Sequence, residues 1–542
     1  MTNKEIAKHL DFIANLLELH DENPFKIRSY QNSYNTIRQQ YEEIANLNFE
    51  QLIQIKGIGK SIATDILELL NSGEIKILKE LLTKTPEGLI DLLKVKGLGP
   101  KKIRALWQDL SITSLGELEY AIRENRLTLI KGFGFKIQDN ILNQIEFLNA
   151  SKGKILYFKA KYIADDLIEK LSSNFPDNKL SITGDLRRQM PVIEKIGIIS
   201  DIGFGRLKSF EDPEFRYENE VFYYKNTIID FYYSETDDFC ENLFMTTGPD
   251  NFTKYFIFNK NTTEEDIFSS NFHSYIPPNF RDIDMLPKDI KNFDINNYIS
   301  LRDIKGILHN HSIWSDGSDK LMDMALYYKE LGYDYMLISD HSKSAFYANG
   351  VKEQDVIRYI EEVRKTSEYL SDFNVFAGIE SDILGDGSLD YSDETLKMFD
   401  VIIASVHSGL NMDKDKATDR LVRAIENPFT RILGHMTGRI LLAREGYPLD
   451  NDKIFDACAA NDVAIELNCN PQRMDIDWTL ISKAQDKGIN FCINPDAHSK
   501  FEVRYIDYGV IAAQKGGMLK ANCINAKTTA EFVKWISEGK KY

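Results

Sequence analysis

Residues 303–317 read DIKGILHNHSIWSDG, a short apolar run that ends on His309-x-His311 and is followed by Asp316. The arrangement recurs down the chain. LISDHS (337–342) ends beside His341, FAGIESDIL (376–384) carries Glu380, and IIASVHSG (402–409) carries His407. RILGHMTG (431–438) then carries His435, and CINPDAHSK (492–500) carries Asp496 and His498. In a parallel βα barrel the active site gathers at the carboxyl ends of the strands, so the ligands of one site fall there in sequence. Side chains two apart on an extended segment share a face, which suits both His-x-His and Asp-x-His. Imidazole with carboxylate suits Zn, Mn or Fe, and a shared carboxylate can bridge two ions. One histidine after a strand is more often a packed structural residue. Six of the chain's nine histidines with three acids, nearly every one after its own strand-like run, read as a multinuclear metal site.

At 542 residues the chain is too long for one ordinary domain, and roughly three or four are expected. Its 43% hydrophobic and 11% aromatic content is ample for real cores. The opening MTNKEIAKHLDF is polar, with no apolar signal region, and no apolar run approaches the roughly 18 residues of a membrane span. Five scattered cysteines without a Cys-x-x-Cys pair read as reduced thiols. These features predict a cytoplasmic protein with no membrane partner, and no motif names a protein partner.

A net charge of −17 argues against indiscriminate nucleic-acid binding by the whole chain. Residues 1–150 are nearly neutral, with 19 Lys and Arg against 20 Asp and Glu. A nucleic-acid surface there must work through local geometry. That geometry is legible in LIQIKGIGKSIATDIL (52–67), LLKVKGLGPKKIRALW (92–107) and LIKGFGFKIQDNIL (129–142). Each places a Gly-hydrophobic-Gly turn between helical patterns: Gly57 and Gly59, Gly97 and Gly99, Gly132 and Gly134. Glycines permit the tight turn, and the next helix begins with free N–H groups that can hold a phosphate. One such turn is often only packing. Three, each with a nearby lysine (Lys60, Lys101 or Lys102, Lys136), favour contacts that position DNA without reading its sequence.

Residues 151–285 alternate strand-like and helical patterns, and YIPPNFRDIDMLPKDI (275–290) reads as an exit linker. The domains expected are a helical DNA-binding region with a hairpin (1–80), a second hairpin region resembling fingers (81–150), and an α+β region (151–285). A linker (286–302) and a distorted βα barrel (303–542) complete the chain.

Taken together, the motifs resemble a bacterial family X DNA polymerase fused to a PHP (polymerase and histidinol phosphatase) domain, over nearly the full length. NPFKIRSYQNSYNTIRQ (23–39) resembles the opening of that family's amino-terminal domain, and the Gly-x-Gly repeats fit its hairpins. TGDLRR (183–188) resembles the Gly-Ser-x-Arg-Arg signature of the nucleotidyltransferase palm, with Asp185 in place of the serine. TTGPDNF (246–252) resembles the segment beside the nucleotide site, and YIPPNFR (275–281) the segment closing the polymerase half. DIKGILHNHSIWSDG resembles the PHP opening motif.

The family's palm carries an Asp-x-Asp pair for metal. Aligned without gaps from Arg187 and Arg188, those positions are Lys195 and Gly197; a shifted alignment recovers Asp201 but leaves Gly203 in second place. Only the third aspartate has a counterpart, Asp230. Two-metal phosphoryl transfer needs bridging carboxylates, so Mg²⁺ binding at the palm and polymerisation are expected to be lost. In GIGKSIATDIL, Asp65 stands at the lysine of the family's lyase activity, and a carboxylate cannot form an imine.

All nine PHP ligand positions match. The resemblance implies three divalent ions, Mn, Zn or Fe. His309, His311, Glu380 and Asp496 would hold the first, and Glu380 would bridge to a second held by His407 and His435. Asp316, His341 and His498 would hold the third. Asp340 points to the opposite face and reads as supporting structure, and Arg439 and Arg473 read as solvated cations able to reach phosphate. The function expected is a metal-dependent DNA phosphodiesterase, a 3′→5′ exonuclease or 3′-end processor in repair, acting on gapped duplex or 3′ ends. Two other readings stay open: a competent gap-filling polymerase and a small-molecule phosphatase of the histidinol-phosphatase kind.

Overall fold

The computed structural model describes all residues except 39, 41–42, 96, 128–129, 131, 150–152, 259–262, 283–290 and 540–542. The expected linker therefore lies partly outside the described residues. Two compact units are formed. The first comprises Met1–Ile122 with Leu127–Ile145, and the second Arg123–Arg126 with Glu146–Tyr542.

The first unit is helical: α1 (Asn3–Leu19), α2 (Pro24–Arg38), α3 (Phe49–Gln54), α4 (Lys60–Ser72) and α5 (Lys76–Lys84), then α6 (Glu87–Leu92), α7 (Pro100–Leu110), α8 (Leu115–Arg123) and α9 (Phe135–Asn149). Local chemistry sets the ends of α4 and α7. Gly59 and Gly99 are the N-caps, Pro100 occupies the first turn where its missing N–H is no loss, and left-handed Gly73 and Ser111 close the C-termini. Ile62, Ala63, Ile66 and Leu69 recur at helical spacing and bury one face of α4.

The second unit begins with a two-stranded pair, β1 (Ile155–Leu156) and β3 (Val192–Ile193), and a five-stranded mixed sheet. The sheet contains β2 (Leu180–Thr183), β4 (Ile196–Ser200), β5 (Phe215–Glu218), β6 (Val221–Tyr224) and β7 (Thr227–Tyr233), in the order β2-β4-β7-β6-β5. Only the β4–β7 pair is parallel. Helix Tyr157–Asn174 covers it through Ala160, Ala164, Leu167 and Leu171.

The helical segments of the same region hold a buried charge knot. Arg187 forks onto Glu264 at 2.8 Å through both terminal nitrogens, and Arg281, fully buried among Phe244, Phe252 and Phe268, meets the same carboxylate at 3.2 Å. Burial pushes the Glu264 carboxyl up, but Arg187 and Arg281 together hold it down at about 2. Glu264→Ala leaves two guanidiniums uncompensated and should destabilise the second unit by about 3–5 kcal/mol, read as a lowered melting temperature. Because the folded pKa is depressed, the carboxylate's contribution is present above the ordinary value of about 4.5 and fades as pH falls toward 2. The gap between wild type and Glu264→Gln should narrow over that range. A gap unchanged by acid would contradict the assignment.

The rest of the unit is an all-parallel seven-stranded sheet: β8 (Gly306–Ile307), β9 (Tyr335–Ile338), β10 (Asn374–Asp382), β11 (Val401–Ser405), β12 (Thr430–Leu433), β13 (Ala464–Asn468) and β14 (Phe491–Asn494). Neighbours pair in chain order, and a parallel bridge between Asn310 and Ala497 brings the two edges together, so the sheet is a nearly closed barrel. Six of these strands are the runs read from the sequence; β13 was not among them.

Alternation along the strands gives the barrel its polarity. Met336, Ile338, Ala377, Ile379, Ile402 and Ala404 pack outward against helices such as Leu321–Glu330 and Val356–Leu370. The other face begins as an apolar floor, with Leu337, Phe376, Ile403, Ile432, Ala464 and Cys492 packed on Phe532 and Trp535 of the carboxyl-terminal helix Thr529–Gly539. Two and four residues further along the same face, Phe376 gives way to Gly378 and Glu380, and Ala464 to Glu466 and Asn468. All five cysteines are free thiols and four are buried. Among the described residues no helix is long and apolar enough to cross a membrane.

Candidate metal centre

Every one of the nine side chains picked out from the sequence converges at the carboxyl rim of this barrel. Glu380 is central: His341 Nδ1 lies 2.9 Å from its Oε2, and His407 Nε2 and His435 Nε2 lie 3.2 and 3.1 Å from its Oε1. His309 Nε2 is 3.4 Å from both Glu380 and Asp496, and His311 Nε2 is 3.0 Å from Asp496. Asp316 stands 3.6 Å from His341 Nε2 and 3.3 Å from His498 Nε2. Their side chains are at most 5% exposed.

Among the described residues four overlapping groups hold ligand atoms within 4.8 Å of one another: His309, His311 and Asp496; His341, Glu380 and His407; His311, Asp316, His341 and His498; and Glu124, Asp496 and His498. His341 thus spans two groups, whereas the sequence reading placed it with Asp316 and His498 alone. The Asp-x-His segment also differs from the extended form expected, because Asp496 has φ +52. The rim turns sharply there, and Ala497 N–H donates to the His309 carbonyl.

The donor set fits divalent ions. Among the buried atoms with no hydrogen-bond partner are His309 Nε2, His407 Nε2, His498 Nε2, Glu380 Oε2 and both oxygens of Asp316. Buried polar atoms rarely go unsatisfied, and imidazole with carboxylate is the ligand chemistry of Zn, Mn and Fe. Burial, then His498 and His341, hold His311 down at about 3, whereas at His309, His407 and His498 neighbouring carboxylates outweigh burial and draw the imidazoles up.

Supporting groups were invisible in the sequence. Glu466, on β13, lies 2.7 Å from His309 Nδ1 and accepts from Asn468 and Asn494. Asp382, two residues past Glu380 on β10, meets His407 Nδ1. Such carboxylates fix the ring so that the opposite nitrogen faces the centre. Asp340 accepts from the backbone and hydroxyl groups of Ser312 and Ser315, and so holds the loop between His311 and Asp316. Arg439 is not a solvated cation: it binds Asp477 and the carbonyls of Arg473 and Met474. Arg473 is buried, with Nε 3.9 Å from Asp496.

The glycine hairpins of the first unit share one backbone design. Gly57, Gly97 and Gly132 have φ of +103, +97 and +95, a region that disfavours side chains. The apolar residue that follows is buried and its N–H donates back three residues: Ile58 to Ile55, Leu98 to Val95 and Phe133 to Ile130. Gly59, Gly99 and Gly134 serve a different need, since a Cβ there would meet no atom within 4 Å. Lys60 opens α4 beside that gap, Lys101 lies 3.8 Å from Glu18, and Lys102 stands over the Phe133 ring. Asp65, at the lyase position, accepts from Tyr30 at 2.6 Å.

In the palm-like sheet, Gly197 is directly opposite Asp230 across the parallel β4–β7 pair. Lys195 Nζ lies 3.2 Å from Asp230. Asp201 sits four residues beyond Gly197, about 13 Å along the strand direction, and its oxygens accept from Asn178, the Lys179 backbone and Thr236. Arg187 is taken up by Glu264 and Thr247, and Arg188 by Asp282, Asp185 and the Thr247 carbonyl.

Comparison with known proteins gives the class first. Residues 1–75 match a helix-hairpin-helix domain model, residues 89–146 a SAM-like helix-hairpin-helix tandem, and residues 308–470 the PHP domain. A "DNA polymerase/3'-5' exonuclease PolX" from Bacillus subtilis is 30% identical over 97% of this chain and 98% of its own length. The chain belongs to the bacterial PolX family, in which a family X DNA polymerase region is joined to a carboxyl-terminal PHP domain. Proteins named "Probable phosphatase" from Caldanaerobacter subterraneus and Thermoanaerobacter sp. are 25% and 24% identical. Each covers 34% of this chain, and 74% and 76% of its own length.

Proposed function

We propose that the chain is a metal-dependent DNA phosphodiesterase, a 3′→5′ exonuclease or 3′-end processor in repair, and that its palm no longer polymerises. One observation carries the first part: nine buried ligand-type side chains meet at the barrel rim, several with facing atoms that have no hydrogen-bond partner. His309, His311, Glu380 and Asp496 would hold one ion, Glu380 with His407 and His435 a second, and Asp316, His341 and His498 a third. When bound, such ions activate a water near neutral pH and offset charge developing on the phosphate and the leaving 3′-oxygen. Mn, Zn and Fe all suit the donors. The helix-hairpin-helix region and the PolX relative, whose name includes 3'-5' exonuclease, support DNA as the substrate.

The loss of polymerisation is supported by strand register. Where the family's carboxylate pair is expected beside Asp230, the chain presents Lys195, just before β4, and Gly197 within it, and Lys195 Nζ lies 3.2 Å from Asp230. A labelled gapped duplex in Mn²⁺, with and without dNTPs, tests both halves: the labelled 3′ end should shorten in each case. Extension in place of shortening would overturn the reading. The phosphatase-named relatives favour a second reading for the barrel, and faster turnover of a small phosphate ester than of DNA would establish it.

The hairpins would supply DNA affinity through backbone N–H groups. Gly59→Val or Gly99→Val fills open space without disturbing φ, and should weaken duplex binding roughly 10–100-fold by denying phosphate one or two hydrogen bonds. Gly57→Val is a poor probe, because its φ of +103 and the Thr36 hydroxyl 2.6 Å from the new Cβ would disrupt the turn itself. Fluorescence anisotropy across several DNA sequences and salt concentrations checks this. The loss should be equal for all sequences, with a shallow salt slope. A loss confined to one sequence would contradict backbone recognition.

A further inference from the structure

Glu124 belongs to no motif, yet it sits at the metal centre. It follows α8 in a turn where Asn125 has φ +55, and the short segment Arg123–Arg126 packs as part of the second unit. Its side chain is fully buried. Oε1 accepts from Asn470 Nδ2 at 3.0 Å, and Oε2 lies 2.7 Å from His498 Nδ1. The Asn470 amide is itself held, because its Oδ1 accepts from the Gln472 backbone. Two residues on, the Arg126 guanidinium lies over the Tyr347 ring of the barrel, 5.1 Å from its centroid.

Two other centre histidines also have a carboxylate beside Nδ1, there as a hydrogen bond. His309 has Glu466 beside Nδ1, with Nε2 facing Glu380 and Asp496; His407 has Asp382 beside Nδ1, with Nε2 facing Glu380. In His498, Nδ1 lies 2.7 Å from Glu124 and 3.0 Å from the Asp496 carbonyl, and Nε2 faces Asp316. Glu466 and Asp382 come from barrel strands. Glu124 comes from a turn 179 residues before the barrel domain's expected start at 303, between the second and third glycine hairpins. A buried carboxylate is strongly unfavourable without a cationic partner, and a histidine drawn on by a divalent ion is such a partner.

We propose that Glu124 is the positioning carboxylate of the third metal subsite: it fixes the ring of His498 so that Nε2, with Asp316 and His341, can hold a divalent ion. Because this carboxylate lies outside the barrel sequence, the third subsite is incomplete in the PHP segment alone. The inference rests on reading the cluster as a metal centre.

The test uses the full chain, stripped of metal and titrated with Mn²⁺, with bound metal counted per chain and free Mn²⁺ followed by electron paramagnetic resonance. Glu124→Gln keeps the shape and removes the charge. It should weaken the most labile bound ion by about 10–100-fold while the other ions stay bound as in wild type. His498→Ala should lose the same ion, and adding Glu124→Gln to it should cause no further loss. Glu124→Asp should recover part of the affinity, which a merely structural role would not require. Thermal melting of the metal-free proteins controls for folding, and Asn470→Ala, which removes the other anchor of Glu124, gives a second route to the same loss. If wild type binds Mn²⁺ and Glu124→Gln matches it ion for ion, the inference fails and the metal centre stands. If wild type binds none, both fail.

Discussion

Glu380→Ala is expected to lower nuclease turnover by at least about a thousandfold, equivalent to roughly 4 kcal/mol of lost transition-state stabilisation. The size follows from its position. Five centre histidines lie within 3.7 Å of its two oxygens: His309, His311, His341, His407 and His435. No other side chain at the rim touches so many ligand-type groups. Removing it deletes the only carboxylate shared between the first and second expected ions and leaves facing imidazoles with nothing to balance them. Metal content should fall with activity, so both are measured on the same sample, with circular dichroism confirming that the barrel persists. Full nuclease turnover with full metal content would mean that the rim cluster is not the reaction centre.

The second large effect is an absence. In an Asp496→Ala/His498→Ala background, where degradation cannot hide synthesis, dNTP-dependent filling of a short gap should be undetectable, several orders of magnitude below a two-metal polymerase. The argument is one of charge. Two cations need carboxylates that bridge them, and Lys195, just before β4, sets an ammonium group 3.2 Å from Asp230. Nor can the arginine pair rescue the site. Arg187 is committed to Glu264, and Arg188 to Asp282, which also meets buried Lys515. Clear gap filling by this variant would mean that a carboxylate from elsewhere substitutes, with Asp201 or Asp185 the first to replace.

Much of the barrel was legible because ligand and strand are adjacent in sequence. An apolar run buried on both faces followed by a histidine, or by Glu380 in β10, needs no long-range knowledge to be read, and six strands were found this way. β13 escaped because AIELN is a short run with no histidine after it, and only the fold shows that alternation turns Glu466 inward. The hairpins were legible for a local reason also, since only glycine readily adopts the φ near +100 that each turn demands. Their second glycines are a different matter: that Gly59 and Gly99 face open space is a property of the folded surroundings.

The sequence by itself determined the barrel class, the three glycine turns and the nine ligand-type residues, because periodicity, turn chemistry and residue type act over a few positions. It left two alignments of the palm open, and only the fold shows that the register of β4 against β7 sets Gly197, and not Asp201, opposite Asp230. It placed Arg439 in solvent, and the fold placed it in a network with Asp477. It said nothing of Glu124, a charged residue in AIRENRL whose burial beside His498 depends on chain segments more than three hundred residues apart. Which charge meets which is settled only when distant segments close on one another and exclude water, and no local pattern records that closure.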